Sequence, residues 1–190
     1  MYVCKNIRRL KMKPIVLIVL FSLSLNISYS QEGEYTRIKW YTFQEAIKLN
    51  EQSPRKIFID IYTDWCGWCK ELDKNTFSNP QIAEYLNKNY YPVKFNAETK
   101  EVISYKNKEY KNNGTGSRPP HDLAIALLNG RLSYPSAAYL DDQNNLLTIV
   151  PGYMTPRDLE PILVFFAEDH YKTTKWEDFK AKFASKLSGK

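Results

Sequence analysis

The stretch Lys56-Ile57-Phe58-Ile59-Asp60-Ile61-Tyr62-Thr63-Asp64-Trp65-Cys66-Gly67-Trp68-Cys69-Lys70 decides the reading of this chain. Five of its first seven residues are β-branched or aromatic and the run is nearly continuous in apolar character, which predicts a central strand buried on both faces. Two cysteines follow at once, and Lys70 to Phe77 has helical composition. A Cys-x-x-Cys pair between a buried strand and a helix puts Cys66 in the first helical turn. There, unpaired backbone N–H groups and the helix dipole favour an anion. Cys66 is therefore expected to ionise more easily than a free thiol, whose pKa is about 8.5. Cys69 shares its helix face and is placed to resolve a mixed disulfide formed at Cys66.

The cysteine count sharpens this. Of three cysteines, Cys4 lies in a leader-like segment, leaving Cys66 and Cys69. Lys5, Arg8, Arg9, Lys11 and Lys13 precede an apolar run over 14–25, then Ser28 and Ser30 stand two apart ahead of Gln31. A basic start, a short apolar run and a small-x-small site predict a signal peptide over residues 1–30. An uncleaved anchor is the alternative, but a spanning helix needs roughly 20 apolar residues. A start at Met12 would carry an equivalent signal. The expected location is therefore outside the cytoplasm, in a bacterial periplasm. Disulfides persist in such compartments, yet a loop this short gains little from the chain-entropy effect of a staple. The pair reads first as redox chemistry and second as a structural disulfide.

Other uses of the two thiols are weaker. A zinc site usually needs four ligands, and His121 and His170, the two histidines, lack ligand spacing to the cysteines. A cysteine protease would need a histidine and an orienting group, and nothing singles one out. No metal and no cofactor is expected. The net charge of +6 and the pI near 9.0 come from the leader, which holds five basic and no acidic residues and leaves 22 basic against 21 acidic. That balance gives no support to nucleic-acid binding.

Asp60 interrupts the apolar strand six residues before Cys66. Buried without a partner, a carboxylate costs several kcal/mol or takes up a proton, which suits proton exchange with a neighbouring thiol. The alternative is a strand-end aspartate facing water.

Residues 31–190 are expected to form one domain with a core over about 40–171. Thr42 and Glu45 make a capping box for an amphipathic helix ended by Ser53-Pro54. Asn79-Pro80 opens another helix, and Tyr91 to Asn96 reads as a strand. Residues 97–118 end in a breaker cluster and read as an inserted loop or small hairpin. A short helix follows Pro119-Pro120. Ala137–Asp141 and Leu146–Val150 read as two strands across a turn. A long helix is expected from Pro156 to about Tyr171, and an extra C-terminal helix over about 174–187, capped by Thr174 and Glu177. Its stripe of Trp176, Phe179, Phe183 and Leu187 either packs on the domain or docks a partner. The order implies an α/β fold, a mixed central sheet flanked by helices.

The segment 57–70 resembles the thioredoxin superfamily. Residues 57–98 are most similar to the C-terminal periplasmic domain of the electron transporter DsbD, through Asp64-Trp65-Cys66, Cys69-Lys70-Glu71 and Thr76-Phe77-Ser78-Asn79-Pro80-Gln81. The chain also resembles exported DUF255-like thioredoxins. The resemblance implies the thioredoxin fold, with Cys66 as attacking thiol, Cys69 as resolving thiol and Asp60 as the buried acid serving it. It implies that Lys94, in Val93-Lys94-Phe95-Asn96, lies near that acid. It also matches Tyr134-Pro135-Ser136 to a cis-proline loop whose backbone at Tyr134 pairs with substrate beside Cys66. An ordinary trans proline at a strand entrance is the alternative. Trp65, Gly67 and Trp68 complete the expected substrate surface.

Three functions remain in view. The first is an exported thiol–disulfide oxidoreductase that reduces or exchanges disulfides of other exported proteins. Electrons would come from a membrane-bound or soluble thiol donor, since no multi-span segment is seen in the sequence. The second is an oxidase or isomerase on the same fold. Gly67-Trp68 stands where thioredoxin has Gly-Pro, and potentials on this fold run from about −270 to about −120 mV. The third is a binding module in which the cysteines are incidental.

Overall fold

The computed structural model describes residues 36–187, so the signal-peptide expectation lies outside the described residues. Within them the chain runs α1 (Phe43–Gln52), β1 (Lys56–Tyr62), α2 (Gly67–Leu72), a π-helical turn (Asp73–Phe77), α3 (Pro80–Asn89) and β2 (Tyr90–Asn96). It continues with β3 (Ile103–Tyr105), β4 (Lys108–Tyr110), α4 (Asp122–Leu127), β5 (Ser136–Leu140), β6 (Leu146–Pro151), α5 (Pro156–Ala167), a 3-10 turn (His170–Lys172) and α6 (Trp176–Lys182).

The main sheet has the order β2-β1-β5-β6. β1 runs parallel to β2 and antiparallel to β5, and β6 is antiparallel to β5. This is a mixed sheet with β1 in the interior. Strand alternation divides β1 between two cores. Ile57, Ile59 and Ile61 face α1 and α4 with Phe43, Ala46, Leu123 and Leu127. Phe58 faces α3 and α5 with Ile82, Leu86, Leu159 and Leu163. Both faces are covered, which is why the strand is apolar without alternation. Each fully buried isoleucine contributes about 1.5–3 kcal/mol.

The outer edge of β2 is capped by the lead-in segment. The Tyr41 N–H donates to the Pro92 carbonyl at 2.8 Å, and the Lys94 N–H to the Tyr41 carbonyl at 3.2 Å. The outer edge of β6 has no strand partner among the described residues.

Of the two readings of the 97–118 segment, the structure has the small hairpin, β3–β4, turned by Lys106 and Asn107, both at positive φ (50° and 59°). Two helix boundaries differ from expectation. The helix opened by the Thr155–Asp158 capping box ends at Ala167. There Asp169 enters the left-handed region (φ 60°) and a 3-10 turn follows. The C-terminal helix is shorter than 174–187. It spans Trp176–Lys182, and Lys175, not Thr174, is its N-cap. Residues 183–187 leave the helix because Glu160 of α5 captures them: the Ser185 hydroxyl donates to Glu160 Oε2, and the Lys186 N–H donates to Oε1 at 2.8 Å. The stripe packs on the domain, with Phe179 against Phe165 at 5.1 Å and Leu187 on the second core.

Candidate active site

The end of β1 leads directly into the cysteines. Cys66 and Cys69 are joined as a disulfide, their Cα atoms 5.3 Å apart. Cys66 is the N-cap of α2, its Sγ accepting the Cys69 N–H at 3.1 Å. Its own N–H donates to the Thr63 carbonyl at 3.1 Å, fixing the loop. Cys66 keeps 6% of its surface exposed and Cys69 2%, so Cys66 is the outer sulfur. After reduction, the Cys69 N–H at Cys66 Sγ and its place at the helix start favour a thiolate there.

Asp60 lies on the Phe58 face of β1, 1% exposed. Opposite it in register on β2 is Lys94, whose Nζ donates to Asp60 Oδ2 at 2.6 Å. Asp60 Oδ1 is buried with no hydrogen-bond partner among the described residues. Burial raises the Asp60 carboxyl to about 6, and the Lys94 charge opposes this rise. Burial also disfavours the Lys94 charge, but Asp60 and then Asp73 outweigh it and leave Lys94 above its ordinary value. Asp73, in the π-helical turn seven residues after Cys66, makes a second ion pair with Lys94. The rings of Tyr62, Trp40 and Phe77 surround the ammonium at 4.9–5.3 Å.

The second wall is the loop before β5. The Tyr134–Pro135 bond is cis, and the Pro135 carbonyl accepts the Gly152 N–H at 2.8 Å. The N–H and C=O of Tyr134 have no partner among the described residues. Two aromatic pairs flank the cysteines: Trp65 with Tyr134 (6.1 Å, edge-on) and Trp68 with Tyr153 (5.5 Å). Both tryptophans stay exposed, 50% and 64%. Gly67 is likewise exposed between the cysteines. Trp65 Nε1 donates to Glu98 at 2.8 Å, and the Arg118 guanidinium lies 5.4 Å from the Trp65 ring centre.

The structure thus places Asp60, Lys94, Trp65, Gly67, Trp68, Tyr134 and Pro135 around the end of β1 that carries Cys66 and Cys69. Sequence reasoning missed Asp73, Glu98, Arg118 and Tyr153. Asp73 had a signal, since positions i and i+7 share a helix face. The others reach the site through loops. The histidines serve elsewhere. His121 Nδ1 caps α4 by accepting the Leu123 N–H at 3.1 Å, and its Nε2 donates to the Glu101 carbonyl at 2.9 Å. His170 stacks on Phe179 at 4.8 Å. Among the described residues no group of three or more His, Cys, Asp or Glu could hold a metal ion.

Comparison with known proteins agrees with this geometry. An uncharacterized protein of Archaeoglobus fulgidus is 38% identical over 80 residues, which are 42% of this chain and 58% of that protein. The thiol:disulfide interchange protein DsbD of Citrobacter koseri is 47% identical over 59 residues, 30% of this chain and 10% of DsbD. The chain thus spans only part of these relatives' lengths. A solved structure titled DsbH oxidoreductase superposes with a TM-score of 0.51 at 13% identity, covering 78% of this chain and 98% of that one, a likeness of fold. The family Thioredox_DsbH, described as protein of unknown function DUF255, matches residues 23–158. The chain belongs to that family and has a thioredoxin fold that carries the Cys66–Cys69 pair at a helix start.

Proposed function

We propose that this protein is an exported dithiol reductase or exchange enzyme acting on disulfides of other exported proteins. The observation that carries the reading is the Cys66–Cys69 disulfide at a helix start, with the outer sulfur between two exposed tryptophans. The relatives named for thiol:disulfide interchange support it, as does the basic, then apolar, start of the sequence. Among the described residues no helix is long and apolar enough to cross a membrane.

In this reading the reduced protein begins with a Cys66 thiolate. It attacks one sulfur of the substrate disulfide, the substrate S–S bond breaks, and the other substrate sulfur leaves as a thiolate that takes a proton from solvent. The Cys69 thiol then gives its proton to the Asp60 carboxylate and attacks Cys66 Sγ. The mixed disulfide breaks, the second substrate sulfur leaves as a thiolate that takes a proton from solvent, and the Cys66–Cys69 bond closes. Two electrons have passed to the substrate, and a membrane-bound or soluble dithiol donor restores the pair. Lys94 holds the Asp60 carboxylate charged until the proton arrives. Tyr134 and Pro135 offer backbone to the substrate, while Trp65, Gly67 and Trp68 form the surface around it.

The test is a titration in glutathione buffers of graded ratio, read by the fluorescence of Trp65 and Trp68. A reversible two-electron transition near or below about −230 mV supports the reductase. A midpoint between about −180 and −120 mV selects an oxidase or isomerase instead. Full reductase activity in Cys66→Ser would remove the assignment of the attacking thiol, and no transition at all would leave a binding module.

A further inference from the structure

The inserted segment between β2 and α4 brings a fixed positive charge to the site. Its anchoring is dense. Asn112 Nδ2 donates to the carbonyls of Pro119, Thr99 and Glu98 at 2.7, 3.1 and 3.2 Å. The His121 N–H donates to the Ala97 carbonyl at 2.7 Å. Gly114 lies so close to Pro119 that a Cβ there would collide with the proline ring. These contacts hold the loop against the end of β2 and set Arg118 over Trp65.

Two carboxylates of the site, Glu98 and Asp64, bond neutral donors rather than Arg118: Glu98 accepts from the Trp65 indole and Asp64 accepts from Asn96 Nδ2. Arg118 is exposed and forms no salt bridge among the described residues. Stacking on an aromatic face leaves the edge donors of a guanidinium free for a carboxylate. The same indole carries Tyr134 on its other contact, so the guanidinium borders the ground a substrate segment crosses to reach Cys66.

We propose that Arg118 is a specificity-determining residue that selects disulfides with an acidic side chain within a few residues of the attacked cysteine. This rests on the reductase reading above and names its substrate class. An exposed ion pair of this kind is worth about 0.2–1 kcal/mol and acts largely on encounter. The preference expected of one guanidinium is therefore about 1.4- to 5-fold in kcat/KM, and it is larger between acidic and basic partners.

The experiment uses the full chain, reduced beforehand, and three disulfide-bridged peptides of one length. They carry Glu, Gln or Lys beside the cysteine. The wild-type protein should prefer Glu over Gln over Lys, with the spread shrinking as salt rises. Arg118→Ala should flatten the series, Arg118→Glu should invert it, and Arg118→Lys should keep part of it. The ratio between peptides normalises any loss of folded protein. The redox midpoint should not move; a moved midpoint with a flat peptide series would make Arg118 an electrostatic neighbour of Cys66 and overturn the proposal. So would a wild-type protein that reduces the three peptides equally, or an Arg118→Ala loss equal for all. Neutral hydroxyethyl disulfide, offered to the wild type, separates the layers. No turnover sinks the reductase reading and the preference together, whereas normal turnover with no charge preference sinks the preference alone.

Discussion

Asp60 and Lys94 are register partners across the parallel β1–β2 pair, and Lys94 Nζ stands 2.6 Å from Asp60 Oδ2, the other carboxylate oxygen being buried without a partner among the described residues. The chain thus keeps a charge pair on the strand face where Phe58 packs in the second hydrophobic core. Breaking a buried pair from one side leaves the other partner stranded. Here Asp73 provides Lys94 with a second carboxylate, so Asp60 can be neutralised without orphaning the ammonium.

The first prediction concerns stability. With its carboxyl raised to about 6 from 3.8, Asp60 binds more protons in the folded than in the unfolded protein between those values. Folding stability therefore falls as pH rises through that window. Above it, Asp60 costs about 3 kcal/mol at most relative to an unperturbed aspartate. Asp60→Asn should stabilise the oxidised protein by about 1–3 kcal/mol at pH 7.5 and change little at pH 3.5. Urea unfolding at the two pH values checks this, and equal effects at both would reject it.

The second concerns the resolving step. If Asp60 takes the Cys69 proton, the closure of a trapped mixed disulfide should quicken as pH rises through about 6. Asp60→Asn should slow closure about tenfold or more and remove that inflection. Lys94→Met removes the charge that opposes the rise and should move the inflection upward. Rapid-quench measurement of mixed-disulfide decay against pH reads all three variants.

The third concerns the C-terminal strap. Glu160 is buried and both its oxygens accept from residues 185 and 186. Glu160→Ala should cost about 1–3 kcal/mol and raise amide exchange over 183–187. Exchange confined to its wild-type level would mean that the strap is held by Leu187 packing alone.

The fourth concerns the sheet interior. Ile59 is fully buried on β1 between the helices α1 and α4. Ile59→Ala should cost about 2–5 kcal/mol, measured by urea unfolding, while leaving the redox midpoint in place.

Much of the fold was legible because its cues are local. Thr42 and Glu45 cap α1, Thr155 and Asp158 cap α5, and both capping boxes are present in the structure. The β1 run announced a strand covered on two sides. The β3–β4 hairpin was harder, because its turn uses Lys106 and Asn107 at positive φ rather than a glycine. The end of α6 was illegible for another reason: Glu160, 25 residues earlier in the chain, draws Ser185 out of the helix. Within the site, Cys66, Cys69 and Asp60 stand in one short stretch, so the sequence alone could nominate them. Lys94 and Tyr134 needed a resemblance to known proteins, since strand register joins the one to Asp60 and a loop brings the other to Trp65. Arg118 had no cue at all; only the Asn112 anchor and the Gly114–Pro119 approach set it over the indole.

The unequal treatment of the two sheet margins carries a consequence for self-association. Tyr41 covers part of one rim with backbone hydrogen bonds at Pro92 and Lys94, while among the described residues β6 leaves the opposite rim open. Strand addition needs an open rim on each participant. Two copies meeting through β6 would each use up the open rim they have, closing an isologous pair about a twofold axis. With Tyr41 laid along β2 at Pro92 and Lys94, the far margin is a poorer template for a third member than the β6 rim, so edge pairing would favour a closed pair over a growing fibre.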